Sequence, residues 1–131
     1  MNTNSAQQTL YDYIFLKLQG YGIDVIDYKD VNDQLTYPFY VVGNVNGDKS
    51  KYTMDSFGGS LNITVDIWCD SDDRNLHDKV FDYADSVLSD VEDVKGYQII
   101  LDEITTNTLI DSEITGRVLL HTVINASYKI Y

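Results

Sequence analysis

The stretch from Leu61 to Leu88 most constrains the fold, because a strand pattern changes there within a few residues into a helix pattern. Aliphatic residues first alternate with polar ones, which places one apolar face on a half-buried strand. Apolar residues then recur every three or four positions, which is typical of one stripe along a helix. The strand residues are Leu61, Ile63, Val65 and Ile67, and the helix residues are Leu76, Val80, Tyr83, Ala84, Val87, Leu88 and Val91. The sequence therefore predicts a strand, an acidic turn and a covering helix.

The rest of the chain predicts one more helix and several strands. The helix extends from about Ser5 to Gln19, with Asn4 or Ser5 as its cap and Gly20 and Gly22 at its end. Strands are predicted over 23–28, 37–45, 98–104 and 118–131, a mobile loop or long hairpin over 49–57, and a polar loop over 105–116. This order lacks a repeated strand-helix-strand rhythm, which favours an α+β fold: a mainly antiparallel β-sheet with two α-helices packed on one face. We expect a single domain over residues 1–131.

Charge and composition exclude several classes of protein. The chain carries 21 acidic and 9 basic residues, and its net charge of -12 opposes tight binding to nucleic-acid phosphates. Its one cysteine cannot form an internal disulfide, and no apolar run is long enough to span a bilayer. We therefore expect a soluble protein that is made in a reducing cytoplasm and binds neither DNA nor a membrane.

Cys69, His77 and His121 are the residues that invite a catalytic interpretation, because a thiolate beside an imidazole is the minimal unit for acyl transfer. Cys69 shares the parity of the core residues of its strand, so it is predicted to be a small buried hydrophobe. Both histidines are predicted at the surface or an interface, and their spacing fits no zinc site. The sequence predicts no catalytic, cofactor-binding or metal-binding residue.

The acidic residues between Asp70 and Asp93 match no specific metal-binding motif, and loose binding of a divalent ion is the alternative to a structural role. A calcium loop that began at Asp70 would need glycine and glutamate where Asn75 and Phe81 stand. Asp72 and Asp73 instead suit the positive end of the helix dipole, and the remaining acids suit a solvated helix face.

Tyrosines and the C-terminal strand supply the candidate interface residues. The chain has 11 tyrosines, whose large apolar body and polar tip suit surfaces that are buried on assembly. In the C-terminal strand, Val118 belongs to the predicted core face, and the opposite face is more apolar than a solvent-facing surface needs. The interface candidates are Tyr37, Tyr40, Tyr52, Leu119, Val123 and Tyr131.

These elements together resemble a known family. The features are Tyr37-Pro38-Phe39-Tyr40-Val41-Val42-Gly43 at the start of a strand, the strand from Leu61 to Trp68, an acidic turn, the helix from Leu76 to Val91 and a long C-terminal strand. This arrangement is similar to the tail-terminator, or tail-completion, proteins of long-tailed bacteriophages.

The resemblance implies a structural subunit and no enzyme. Such a subunit would be made in the host cytoplasm and assemble into a ring, expected to be a hexamer, at the head-proximal end of the tail in the virion. Its partners would be other copies of itself, the tail-tube protein and the head-tail connector protein. DNA would pass through the ring without specific binding, and an acidic lumen would favour that passage. Two alternatives remain open, a generic protein-binding module of a phage or prophage and a small hydrolase that uses Cys69.

Overall fold

The computed structural model describes residues 6–31, 35–43, 45–49, 59–112 and 117–130. It confirms the predicted α+β class, with a mainly antiparallel sheet and two helices that share one buried core with it. The elements in chain order are α1 (Ala6–Gln19), β1 (Asp24–Asp27), a short 3-10 turn (Tyr28–Asp30), β2 (Phe39–Val42), β3 (Asn46–Lys49), β4 (Gly59–Asp70), α2 (Arg74–Ser89), β5 (Asp93–Val94), β6 (Tyr97–Asp111) and β7 (Leu119–Ile130).

The sheet has the order β1-β2-β4-β7-β6-β5, and β3 pairs with β4 beside β2. Strand β1 is parallel to β2, whereas the pairs that follow across the sheet are antiparallel. These pairings together mean that β1 and β6 point in opposite directions. Among the described residues, β1 therefore forms one edge of the sheet, and β6 forms the other edge beyond its short pairing with β5.

The predicted strand, turn and helix are confirmed in β4 and α2. The four aliphatic residues of the alternating pattern are at most 2% exposed and point toward the helices. The Asp73 side chain caps α2 by accepting a hydrogen bond from the Leu76 amide at 3.3 Å. Helix α2 begins at Arg74 and ends at Ser89, so Val91 lies beyond it and is nevertheless buried.

Both helices supply the other side of the core. Leu10, Ile14 and Leu18 of α1 are fully buried, as are Val80, Ala84 and Leu88 of α2. Helix α1 ends at Gln19, and Gly22 has a φ of 104°, a left-handed conformation that glycine adopts without steric cost. The predicted caps at residues 4 and 5 lie outside the described part of the chain.

The predicted loop over 105–116 was wrong over most of its length. Strand β6 continues to Asp111, and each residue from Thr105 onward pairs with a residue of β7. The polar side chains of this segment do not prevent pairing, because ladder hydrogen bonds join backbone groups and threonine favours strands. Residues 113–116 lie outside the described part of the chain.

Of the predicted strand over 37–45, only Phe39–Val42 forms a strand, β2, and a separate strand, β3, follows beyond the predicted range at Asn46–Lys49. Strand β2 pairs with residues 65–68 of β4, and β3 pairs with residues 59–62 farther along the same edge. Between the two strands, the Gly43 amide donates to the Thr64 carbonyl at 2.8 Å, so the chain stays against β4. Lys49 belongs to β3 and not to the predicted loop, while residues 50–58 lie outside the described residues.

Candidate assembly surfaces

Two of the six interface candidates are buried inside the subunit, so these two predictions were wrong. Tyr40 is fully buried because it lies on the helix-facing side of β2, where its hydroxyl donates to the Val80 carbonyl at 2.6 Å. This burial also raises the pKa of Tyr40. Leu119 is fully buried although it lies on the sheet face opposite the helices.

Leu119 is buried on a face that is itself partly covered, the face opposite the helices, which we call the outer face. Phe39 and Val41 also point to this side and are only 3% and 5% exposed. The Tyr37 ring lies 5.3 Å from that of Phe39, so aromatic side chains cover part of the outer face within one subunit. The alternation of the last strand separates two faces correctly, but it does not reveal that both are partly covered.

The other four candidates have different outcomes. Tyr37 and Val123 are partly exposed, and Val123 lies on β7 opposite Asp66 of β4 and Asn107 of β6. Both therefore remain candidates. Tyr52 and Tyr131 lie outside the described residues. Val118, which was assigned to the core face, precedes β7 and is 45% exposed, so that assignment was wrong.

The far end of β6 is the exposed apolar surface that the sequence analysis missed. Leu109 is 47% and Ile110 is 68% exposed. They pair with His121 and Leu120 of β7, and exposed Val118 shortly precedes these two partners in the sequence. From Thr105 to Ile110 the sequence TTNTLI carries no charge. Among the described residues, this segment pairs with β7 on one side and with no strand on the other. The signal available in the sequence was the pair Leu109-Ile110 within a threonine-rich segment.

This part of β6, Thr105 to Ile110, is here called the open β6 segment. Native proteins usually protect an edge strand with charges, proline or a bulge, because unpaired backbone groups recruit other chains. Strand β6 has a bulge near Leu101 and the charged residues Asp102 and Glu103, but these precede the open segment, and the next charged residue, Asp111, follows it. The open β6 segment therefore combines a free edge with exposed apolar side chains and no protecting charge.

A groove of about 650 Å³ lies at the opposite edge of the sheet, between α1 and β1. We call it the α1–β1 groove. Its apolar lining comes from Tyr11, Phe15, Leu16, Val25 and Ile26. Its polar lining comes from three acids, Asp12, Asp27 and Asp30, and from Lys29 and Gln19. Leu16 is 68% exposed, since it lies off the apolar stripe that buries the rest of α1.

Tyr11 fixes one wall of this groove. Its hydroxyl donates to the Asp27 carboxylate at 2.5 Å, which ties the middle of α1 to the end of β1. This hydrogen bond, together with one from the Lys29 amide, holds the pKa of Asp27 below its usual value. The groove is therefore formed within one subunit before any partner binds.

The outer face also carries a polar network across β4 and β7. His121 stacks on Trp68 with a ring separation of 3.8 Å and an angle of 12°, and its Nε2 lies 2.9 Å from Asp66. Farther along, Thr64 donates to the Asn125 side chain at 2.8 Å, and Ser127 donates to Asn62. His121 is thus partly exposed on this face, as the sequence predicted. These contacts pair polar side chains of β4 and β7 with each other within the subunit.

Arg117 forms a second surface cluster where α2 begins. It makes two hydrogen bonds of 2.9 Å to the Asp70 carboxylate, and its guanidinium lies 4.7 Å from the Tyr37 ring centre. Arg117 holds the pKa of Asp70 below its usual value, chiefly through these hydrogen bonds. The adjacent groove of about 660 Å³ is lined by Asp70, Ser71, Asp72, Asp73, Arg117 and Val118.

The residues considered for catalysis are engaged in structural contacts. Cys69 is 1% exposed, as predicted, and its thiol lies 3.8 Å from the Asp73 carbonyl. Burial, and then the nearby Asp73 and Asp70 carboxylates, raise the pKa of Cys69 and disfavour the reactive thiolate.

His77 is 8% exposed, which contradicts its predicted surface position. The physical reason is its place in the first turns of α2, above the sheet, where Nε2 lies 2.7 Å from the Thr122 hydroxyl. Thr122 in turn lies 2.9 Å from the Thr108 hydroxyl of β6. This chain of hydrogen bonds connects α2 through β7 to the open β6 segment.

The described residues show neither a metal cluster nor a membrane-spanning helix. Within them, no three His, Cys, Asp or Glu side chains are placed to hold a metal ion together. Neither α1 nor α2, the α-helices of that part of the chain, has the length and apolarity that a membrane-spanning helix requires.

Comparisons with known proteins give a fold and no function. No protein-family model matches the chain, and no curated protein matches it. One similar solved structure is 11% identical to this chain, with a TM-score of 0.57. The match covers 98% of this chain and 97% of that one. At this identity the likeness shows a shared fold alone.

Proposed function

We propose that this chain is a tail-terminator subunit of a long-tailed bacteriophage, which forms a ring on the tail tube and part of the head-tail joint. The observation that carries the proposal is the presence of an exposed apolar surface at each of two opposite sheet edges, the open β6 segment and the α1–β1 groove. Different surfaces on opposite sides of one subunit suit head-to-tail contacts, which close into rings.

The α+β fold and the sequence resemblance support the same proposal. A ring expected to contain six copies would use both edges of every subunit and leave the outer face and the helices to line or coat it. With a net charge of -12 per chain, the ring would repel DNA phosphates and let DNA pass. The tail-tube protein and the head-tail connector are the proposed partners, and the virion is the proposed location.

The test is assembly of the tail tube in the presence of this protein. Tail-tube protein encoded in the same genome is polymerised with and without the chain, and tube length is measured by electron microscopy. The proposal predicts shorter tubes that carry one additional ring of density at one end. Tubes of unchanged length without added density would reject it.

A matched variant separates this proposal from the hydrolase alternative. Cys69→Ala removes the only thiol but changes none of the described surface residues, because Cys69 is buried. We expect this variant to cap tubes as the wild type does. Loss of capping in a folded Cys69→Ala protein would instead favour a role for the thiol.

A further inference from the structure

We infer that the open β6 segment of one copy pairs with β1 of a second copy and places Ile110 in the second copy's α1–β1 groove. This inference rests on the proposed function and identifies the surfaces by which the ring would form. The occupant of the groove is thus another molecule of the same chain.

Strand direction supports this pairing. Strands β1 and β6 point in opposite directions within one subunit. If neighbouring subunits are related by rotation about an axis along the strands, the rotation preserves the direction of every strand. Strand β6 of one subunit then meets β1 of the next in antiparallel orientation. Antiparallel pairing has the more favourable hydrogen-bond geometry, so the two sheets join into one continuous sheet.

The positions of the side chains also agree with a continuous sheet. Ile110 lies opposite Leu120 on the helix-facing side, whereas Leu109 lies opposite His121 on the outer face. In the neighbouring copy, α1 covers the helix-facing side of β1, so Ile110 would point toward exposed Leu16. Leu109 would lie on the outer face of the joined sheet, on the same side as Ile26 of the neighbouring copy. Both exposed apolar side chains of the open β6 segment would thus lie on the same side of the joined sheet as an apolar side chain of the second copy, Ile110 with Leu16 and Leu109 with Ile26.

The charge of the two surfaces is compatible with this pairing. Two molecules with a net charge of -12 repel each other, and the α1–β1 groove carries Asp12, Asp27 and Asp30 against the one basic residue Lys29. Acidic side chains that faced this groove would be repelled from it. The open β6 segment has no charged residue, and Asp111, which follows Ile110, lies opposite Leu119 on the outer face, so the helix-facing side chains Thr106, Thr108 and Ile110 bring no like charge to the groove. Added salt should therefore promote assembly, since it screens the remaining repulsion between subunits.

The experiment uses two variants that each damage one surface. Ile110→Lys alters the open β6 segment and Leu16→Lys alters the groove; both residues are 68% exposed, so the monomer is expected to fold normally. Ile100→Lys is the matched control, because Ile100 is 44% exposed on β6 but lies before the open segment. Circular dichroism and thermal melting verify the fold of each variant.

Native mass spectrometry at high protein concentration and raised salt then gives the decisive result. The wild type and Ile100→Lys are expected to form rings, and Ile110→Lys and Leu16→Lys are each expected to stay monomeric. An equimolar mixture of the last two contains one intact strand and one intact groove. It should therefore form a one-to-one dimer that cannot grow further.

Other outcomes overturn the inference in distinguishable ways. A dimer formed by Leu16→Lys alone would indicate that two β6 strands pair with each other. Normal rings in both variants would place the interface elsewhere and leave the proposed function intact. A wild type that stays monomeric even with tail-tube protein present would reject the inference and the proposed function together.

Discussion

The hydroxyl of Tyr128 donates a hydrogen bond to the Leu88 carbonyl, with 2.6 Å between the two oxygens. Tyr128 is fully buried on β7, and Leu88 lies in the last turn of α2, where carbonyls lack a helical amide partner. Tyr40 makes the corresponding contact with Val80 two turns earlier. Two buried tyrosines from different strands thus fix α2 on the sheet at two points.

Phenylalanine substitutions should distinguish these two contacts. Tyr128→Phe is expected to lower the free energy of unfolding by about 1–3 kcal/mol, because it leaves a buried carbonyl without its donor. Tyr40→Phe should cost about 1 kcal/mol, since the Val80 carbonyl lies inside the helix and keeps its helical amide. Urea denaturation measures both values. A smaller cost for Tyr128→Phe than for Tyr40→Phe would contradict the explanation from the helix end.

Adjacent residues at the start of β7 should respond in opposite ways to a charge. Leu119 is fully buried and Val118 is 45% exposed. Leu119→Lys is therefore expected to destabilise the subunit by about 4 kcal/mol or more, because an unpaired charge enters an apolar site. Val118→Lys should change stability by about 0.5 kcal/mol or less. Thermal melting of the two variants is the measurement, and equal melting temperatures would show that Leu119 is accessible.

The thiol of Cys69 should react slowly in the folded protein. Its pKa is raised by burial and by nearby carboxylates, so the reactive thiolate is scarce at neutral pH. We expect an aromatic disulfide reagent to label it rapidly only after unfolding in urea. Fast labelling of the folded protein would favour the hydrolase alternative.

The same raised pKa predicts a pH dependence of stability. Below the ordinary thiol pKa of about 8.5 both states are protonated, and Cys69 has no effect. Above it the unfolded state ionises while the folded state stays protonated, so stability falls as the pH rises. Cys69→Ala should remove this part of the decline, which urea denaturation at several alkaline pH values can measure.

Arg117 should control the ionisation of Asp70. The two hydrogen bonds between them hold the pKa of Asp70 below its usual value. Such a carboxylate stabilises the fold above its unfolded pKa of about 3.9, and the contribution is lost as the pH falls through the lower folded value. Arg117→Gln should raise the pKa of Asp70, as followed by carbon NMR of the carboxyl group. An unchanged pKa in this variant would show that another group lowers it.

Local patterns in the sequence determined the main elements of this fold. The alternation from Leu61 to Ile67 and the helical repeat after Leu76 depend on which side chains face a core, so periodicity reveals them directly. The buried state of Cys69 followed from the same parity, and Asp73 was recognised near the start of α2 because acids suit that position.

Only the tertiary structure decided which surfaces remain open. The extension of β6 to Asp111 depends on backbone pairing with β7, which side-chain hydrophobicity does not report. The burial of Tyr40, His77 and Leu119 depends on neighbours that are distant in sequence. The α1–β1 groove and the open β6 segment exist because strand order places them at opposite edges of the sheet. A sequence pattern specifies the faces of each element, but the arrangement of elements determines which faces and edges are covered.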